Sequence, residues 1–181
     1  MKPALLIIDM QTGLFLEQGK PFEYENIVSN INKLTNWARN NEVGVVFIQH
    51  ETKEEILEFE SSGWELVPDL NVDSEDYFVR KTTPNSFLRT NLNEVLEKNN
   101  INTVIICGYA TEFCVDSTVR AAAALGYDIK IVTDGNTTHD KAHAPAKQII
   151  EHHNVTLPNI TSFGVKIEAV DSEKIMNSKW E

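Results

Sequence analysis

Ala4-Leu-Leu-Ile-Ile-Asp9 is a run of five apolar residues closed by a carboxylate. No alternation reserves one face for water, so it reads as a strand covered on both sides, with the acidic end opening toward a site. Val43-Gly-Val-Val-Phe-Ile48 repeats the pattern, as do Thr103-Val-Ile-Ile-Cys107 before Gly108 and Asp128-Ile-Lys-Ile-Val-Thr133 before Asp134-Gly135. Tyr77-Phe-Val-Arg80 and Ile160-Thr-Ser-Phe163 read as shorter strands. Between them apolar residues recur at helical spacing: Ile27, Val28, Ile31, Leu34, Trp37 and Ala38, then Leu88, Leu92, Val95 and Leu96. A third helix, starting at Cys114, carries Val115, Thr118, Val119, Ala122 and Leu125 up to Gly126, and a fourth covers Ala142 to His153.

Strands that alternate with helices pair in parallel through right-handed crossovers. The expected architecture is therefore a three-layer α/β domain of Rossmann-like type, a doubly wound, mostly parallel sheet with helices on both faces. Such sheets bind ligands beyond the carboxyl ends of their strands. Asp9, the residues after Ile48, Lys81 and the Gly108–Cys114 loop should accordingly converge.

The 181 residues suffice for one domain, read as 1–170, with 171–181 as a polar C-terminal tail. A net charge of −11 repels phosphate backbones and anionic lipid, so neither nucleic acid nor a membrane is expected as a partner. The apolar run Ala4–Ile8 is too short for a membrane span of about 20 residues or a signal-peptide core of about 7–15, which points to a cytoplasmic protein. Cys107 and Cys114 are too few for a disulfide scaffold and read as reduced thiols. Sequons at Asn136, Asn154 and Asn159 need a secretory route and are read as chance.

Gly108-Tyr-Ala-Thr-Glu-Phe-Cys114-Val runs from a buried strand through a tight loop into a helix. A thiol at a helix start lies among unpaired amides and the positive end of the dipole, and should ionise readily. Cys107, inside the strand, should be inert. Asp9 alone is as well suited to capping a turn as to accepting a proton, and Lys81 alone is an ordinary strand end. Their convergence with Cys114 makes them candidates for chemistry. Gln11, Phe15, His50, Trp64, Phe87 and Tyr109 are candidate substrate-lining residues, since aromatic walls with few polar groups typify small-molecule sites. His139, Asp140 and His143 offer a histidine pair at i, i+4, but Asp140 and the preceding Thr137-Thr138 fit helix capping better than metal binding.

Leu6-Ile-Ile-Asp9-Met-Gln11, Arg80-Lys81 with Asn85-Ser-Phe87 and Thr90-Asn-Leu92, and Gly108-Tyr-Ala-Thr-Glu-Phe-Cys114-Val together resemble the isochorismatase-like cysteine hydrolase family over residues 4–165. The resemblance implies a triad of Asp9, Lys81 and Cys114, and a cis peptide at Tyr109–Ala110. It also implies an oxyanion hole from the backbone N–H groups of Ala110 and Cys114. The implied reaction is cleavage of a small amide through a cysteine thioester, without a cofactor, by a homo-oligomer, dimer or tetramer.

Nicotinamidases of this family hold a divalent metal through Asp-x-His after the second strand, where this chain has Ile48-Gln49-His50-Glu51-Thr52, so no metal is expected. Isochorismatases proper lack the nucleophilic cysteine, which favours amide or imide chemistry here. Gly63-Trp64-Glu65-Leu66 with Pro68 is similar to a branch that includes streptothricin-type lactam hydrolases. Two alternatives stay open at this point: a metal-assisted nicotinamidase, and a catalytically silent member that binds a metabolite or protein.

Overall fold

The computed structural model describes residues 2–178 and 180. Its strands are β1 (Pro3–Ile8), β2 (Gly44–His50), β3 (Tyr77–Lys81), β4 (Thr103–Tyr109), β5 (Asp128–Thr137) and β6 (Ile167–Val170). They form one sheet in the order β3-β2-β1-β4-β5-β6, and every neighbouring pair is parallel. The helices are α1 (Tyr24–Asn40), α2 (Leu92–Lys98), α3 (Asp116–Ala124), α4 (Ala146–Thr156) and α5 (Ser172–Asn177).

β1 shows why an unbroken apolar run was needed. Leu6 and Ile8 join one apolar cluster with Leu92 and Leu96 of α2 and Val119 and Ala122 of α3. Leu5 and Ile7 join the opposite cluster with Ile31 and Leu34 of α1. All four are fully buried, and removing each such side chain from water is worth about 1.5–3 kcal/mol. The chain winds one way from β1 to β2 and β3, and the other way from β4 to β6. The crevice at the carboxyl ends of β1 and β4 is the point where the winding reverses.

Two local devices shape that crevice. Gly108 sits at φ +124°, and a Cβ there would run into the backbone of Ile8, so β4 lies against β1 only because position 108 is glycine. β5 carries a bulge: Ile131 pairs with Ile106, but the next pair is Asn136 with Gly108. Asn136 Nδ2 closes the bulge by donating to the Val132 carbonyl at 2.6 Å. The extra residues carry Thr137–His139 up beside the 109–114 loop.

Several sequence expectations need correction. Ile160–Phe163 is not a strand. Two 3-10 turns, Leu157–Asn159 and Thr161–Phe163, occupy this region, Pro158 lies in the first, and the last strand comes later, where Ile167 pairs with Ile129. α2 starts at Leu92 and leaves Leu88 exposed. α4 starts at Ala146, whose N–H donates to Asp140 Oδ1 at 2.7 Å, so Asp140 does act as a cap, from six residues upstream.

The segment after Val170, expected as a polar tail, is α5 packed on its own domain, with Ile175 fully buried beside α1. Asp134 anchors it, accepting from Ser172 N and Oγ at 2.7 Å each and from Asn30 Nδ2 of α1 at 3.1 Å. Lys179 and Glu181 lie outside the described residues. None of the described helices is long and apolar enough to cross a membrane.

Candidate active site

Three strand ends meet at the crevice. Asp9 follows β1 with a left-handed backbone (φ 49°), Lys81 ends β3, and Cys114 lies in a helical turn, Thr111–Val115, that runs into α3. Asp9 and Lys81 are 1% exposed, whereas Cys114 is partly open. The Lys81 ammonium donates to Asp9 Oδ2 at 2.7 Å, to the Thr83 carbonyl at 3.2 Å and to Cys114 Sγ at 3.3 Å, with His50 Nδ1 at 3.0 Å. Asp9 Oδ1 is buried and has no hydrogen-bond partner among the described residues. A carboxylate with one oxygen committed to a cation and the other free can receive a proton. The Tyr109–Ala110 peptide bond is cis.

Asp9, His50 and Cys114 each place a ligand-type atom within 4.8 Å of the others, which resembles a metal site in composition. The cation that sits among them is the Lys81 ammonium, within hydrogen-bond reach of all three.

The electrostatics of Cys114 reverse the expectation of a readily ionised thiol. Burial, then the Asp9 carboxylate, push the thiol up to about 12, and the opposing pull of Lys81 is smaller. A helix terminus contributes about half a charge. Here a full carboxylate charge lies in a site shielded from water. Cys107 is fully buried and its thiol is likewise pushed up, as expected for a core cysteine.

The residues read as substrate-lining separate into groups. Gln11 is fully buried, and its amide is spent on backbone: Nε2 donates to the carbonyls of His50 and Trp64 at 2.9 and 2.8 Å, and Oε1 accepts from His50 N at 2.7 Å. It clamps β1, β2 and the loop before Val67 together instead of facing a ligand. Gln11→Leu would take the side-chain partner from both the N–H and the carbonyl of His50, while the Trp64 carbonyl would keep only Gln49 Nε2 at 3.0 Å. It is expected to cost about 2–3 kcal/mol of stability, read as a drop in Tm, where loss of a ligand contact would move only KM.

Phe15 also belongs to the core. Its ring packs edge-on against Tyr109 and Tyr24 at centroid distances of 5.1 and 5.7 Å. Tyr109 is half-buried beside it. The Tyr109 hydroxyl lies 3.0 Å from His139 Nδ1, and His139 Nε2 lies 2.8 Å from the Gly19 carbonyl. His139 is therefore a buried tie between loops. Its histidine–aspartate context hid a partner 120 residues away in sequence.

Phe87 is half-buried, stacked on Tyr127, and packs against the same α2–α3 apolar cluster as Cys114. Trp64 lines a cleft of about 1010 Å³ with Glu51, Phe59, Phe78, Arg80 and Lys81. Its indole N–H has no partner among the described residues. Asp9 and Cys114 are not in the walls of this cleft. His50 is partly exposed, and its imidazole turns to Lys81. Sequence reasoning missed the Thr83 carbonyl as a fourth acceptor for Lys81, since a backbone group leaves no residue signal.

Residues 3–157 match the family model for the Isochorismatase domain. Among curated proteins, the uncharacterised isochorismatase family protein YddQ of Bacillus subtilis is 32% identical over 143 residues, covering 76% of this chain and 79% of that one. Nicotinamidase 3 of Arabidopsis thaliana is 30% identical, with 97% of this chain and 87% of that one covered. Streptothricin hydrolase of Streptomyces noursei is 28% identical over 78% of this chain and 52% of its own length. A crystal structure of an isochorismatase family protein superposes with a TM-score of 0.83 at 34% identity, covering 93% of this chain and 98% of that one. The chain belongs to the isochorismatase family and is a hydrolase.

Proposed function

We propose that this hydrolase cleaves a carbon–nitrogen bond, other than a peptide bond, in a small amide, imide or lactam, through a thioester on Cys114. One observation carries this reading: a single buried ammonium bridges the Asp9 carboxylate and the Cys114 sulfur at 2.7 and 3.3 Å, with Asp9 Oδ1 left free. Burial first, and then the Asp9 carboxylate, push the thiol's pKa up to about 12, and loss of its proton to water would leave two anions around one cation. Handing that proton to Asp9 leaves only one.

The cycle follows from this exchange. As Asp9 Oδ1 takes the proton, Sγ attacks the substrate carbonyl carbon and the carbonyl oxygen becomes an oxyanion. The backbone N–H groups of Ala110 and Cys114 are assigned to stabilise it. Among the described residues no backbone acceptor is paired with the Ala110 N–H, which supports that role. Collapse breaks the C–N bond, with Asp9 returning the proton to the leaving nitrogen. Asp9 then deprotonates water, whose attack on the thioester releases the acid and restores the thiol.

Nicotinamide and streptothricin-type lactams are the first substrates to try, given the relatives' names. The test is ammonia or amine release across a panel of small amides, imides, lactams and ureas, with intact-mass detection of an acyl adduct on Cys114. Turnover with a trapped adduct supports the proposal. Turnover without any adduct, even in rapid quench, overturns the thioester route.

A further inference from the structure

Lys81 has more acceptors than protons. An ammonium carries three N–H donors. Four acceptors surround it: Asp9 Oδ2 at 2.7 Å, His50 Nδ1 at 3.0 Å, the Thr83 carbonyl at 3.2 Å and Cys114 Sγ at 3.3 Å. With Asp9 and Thr83 served, one N–H is left for the imidazole and the sulfur. A neutral imidazole nitrogen is the better acceptor, because a thiol sulfur accepts only weakly. We propose that His50 is a positioning residue that competes with Cys114 for an ammonium proton and thereby keeps Cys114 a thiol until substrate arrives. The inference rests on the triad reading above and adds a fourth member to it.

The geometry fixes the imidazole's state. An ammonium only donates, so Nδ1 is bare and the ring proton is on Nε2. The backbone N–H and carbonyl of His50 are both bonded to Gln11, which holds the ring's base in place. Around it stand Lys81 from β3, Asp9 from the end of β1, Cys114 from the turn before α3 and the adjacent Glu51. Burial, then Lys81, lower the ring's pKa from its ordinary 6.5, with Asp9 and Glu51 opposing.

The imidazole is thus neutral and competing at physiological pH. Protonation in acid frees an N–H for sulfur and adds a positive charge beside it, so the thiol grows more acidic as the solution does. Oxidation follows thiolate character. The arrangement therefore also shields the resting cysteine.

Two measurements that need no substrate test this. In protein 15N-labelled at histidine, His50 is expected as the Nε2–H tautomer at pH 7.5, titrating below 6.5. Iodoacetamide alkylation of Cys114, resolved from Cys107 by peptide mass spectrometry, is expected to be about three- to tenfold faster at pH 8 in His50→Leu than in wild type. Each unit fall in thiol pKa multiplies the thiolate about tenfold while costing about threefold in nucleophilicity. His50→Gln, which keeps an acceptor, should stay within about twofold.

Below pH 6.5 the wild-type rate should fall by less than tenfold per pH unit, whereas both variants should show the full tenfold slope. An Nδ1–H tautomer overturns the proposal. So does a folded His50→Leu protein that alkylates no faster than wild type, and if that variant fails to fold, a wild-type slope in His50→Gln does the same. These readouts stand apart from turnover, so absence of amide hydrolysis would remove the proposed function and leave the competition intact.

Discussion

Cys114→Ser is expected to reduce amide hydrolysis by about 10⁴-fold or more, with no acyl adduct detectable at residue 114. The exchange removes one polarisable atom and leaves Lys81 still able to donate to the new hydroxyl. The loss would therefore report chemistry and not collapse. Serine fails because its hydroxyl is far less acidic than a thiol, so Asp9 lacks the basicity to accept its proton. Ammonia release compared with the far-UV CD and Tm of both proteins checks this. A folded variant that keeps even a hundredth of the wild-type rate would refute nucleophilic catalysis by Cys114.

Asp9→Asn is expected to separate two properties that usually move together. Turnover should fall about 10³-fold or more, because no group remains to accept the thiol proton and return it to the leaving nitrogen. Alkylation of Cys114 should move the other way. Burial, then the Asp9 carboxylate, hold the thiol up at about 12 against Lys81, so neutralising residue 9 leaves burial opposed by Lys81 and lowers the thiol's pKa.

Lys81 is buried and loses its counter-ion in this variant, and a Cys114 thiolate is the anion best placed to replace it. A fall of two units would raise the alkylation rate near neutral pH about tenfold, since the gain in thiolate outweighs the loss in nucleophilicity. Rates measured between pH 6 and 10 decide the matter. Slower alkylation in Asp9→Asn would mean that Asp9 does not govern the ionisation of Cys114.

Much of this arrangement is legible in the chain, and the boundary of legibility is physical. Ala4–Asp9 announces a two-sided strand with a reactive end, because burial on both faces demands an unbroken apolar run, and β1 is that strand. The convergence of Asp9, Lys81 and Cys114 follows from sheet topology, since ligands lie at the carboxyl ends of parallel strands. The last strand was missed because Ile167-Glu-Ala-Val170 is only four residues long, is interrupted by Glu168 and is fully buried at Ile167 alone, whereas Ile160–Phe163 mimics a strand without a neighbour to pair with.

Gln11 illustrates another limit. Its residue type and position fit a ligand contact, but its partners lie 39 and 53 residues away and are backbone atoms, which no local pattern records. The ionisation of Cys114 was misjudged for a related reason. The helix start is visible in sequence, but the balance between Asp9 and Lys81 depends on distances of a few ångströms.

The Isochorismatase pattern stops at residue 157, before β6 and α5 begin. A chain ending there would lay bare one side of β5 at Ile129–Val132, the part of this ten-residue strand that now pairs with β6. Such a free sheet margin is a template on which further chains add and precipitate. Ser172–Asn177, latched to Asp134, packs against α1 and β5. With β6 in place the free margin on this side of the sheet is a strand of four residues, and so short an edge is a poorer template than β5 would be.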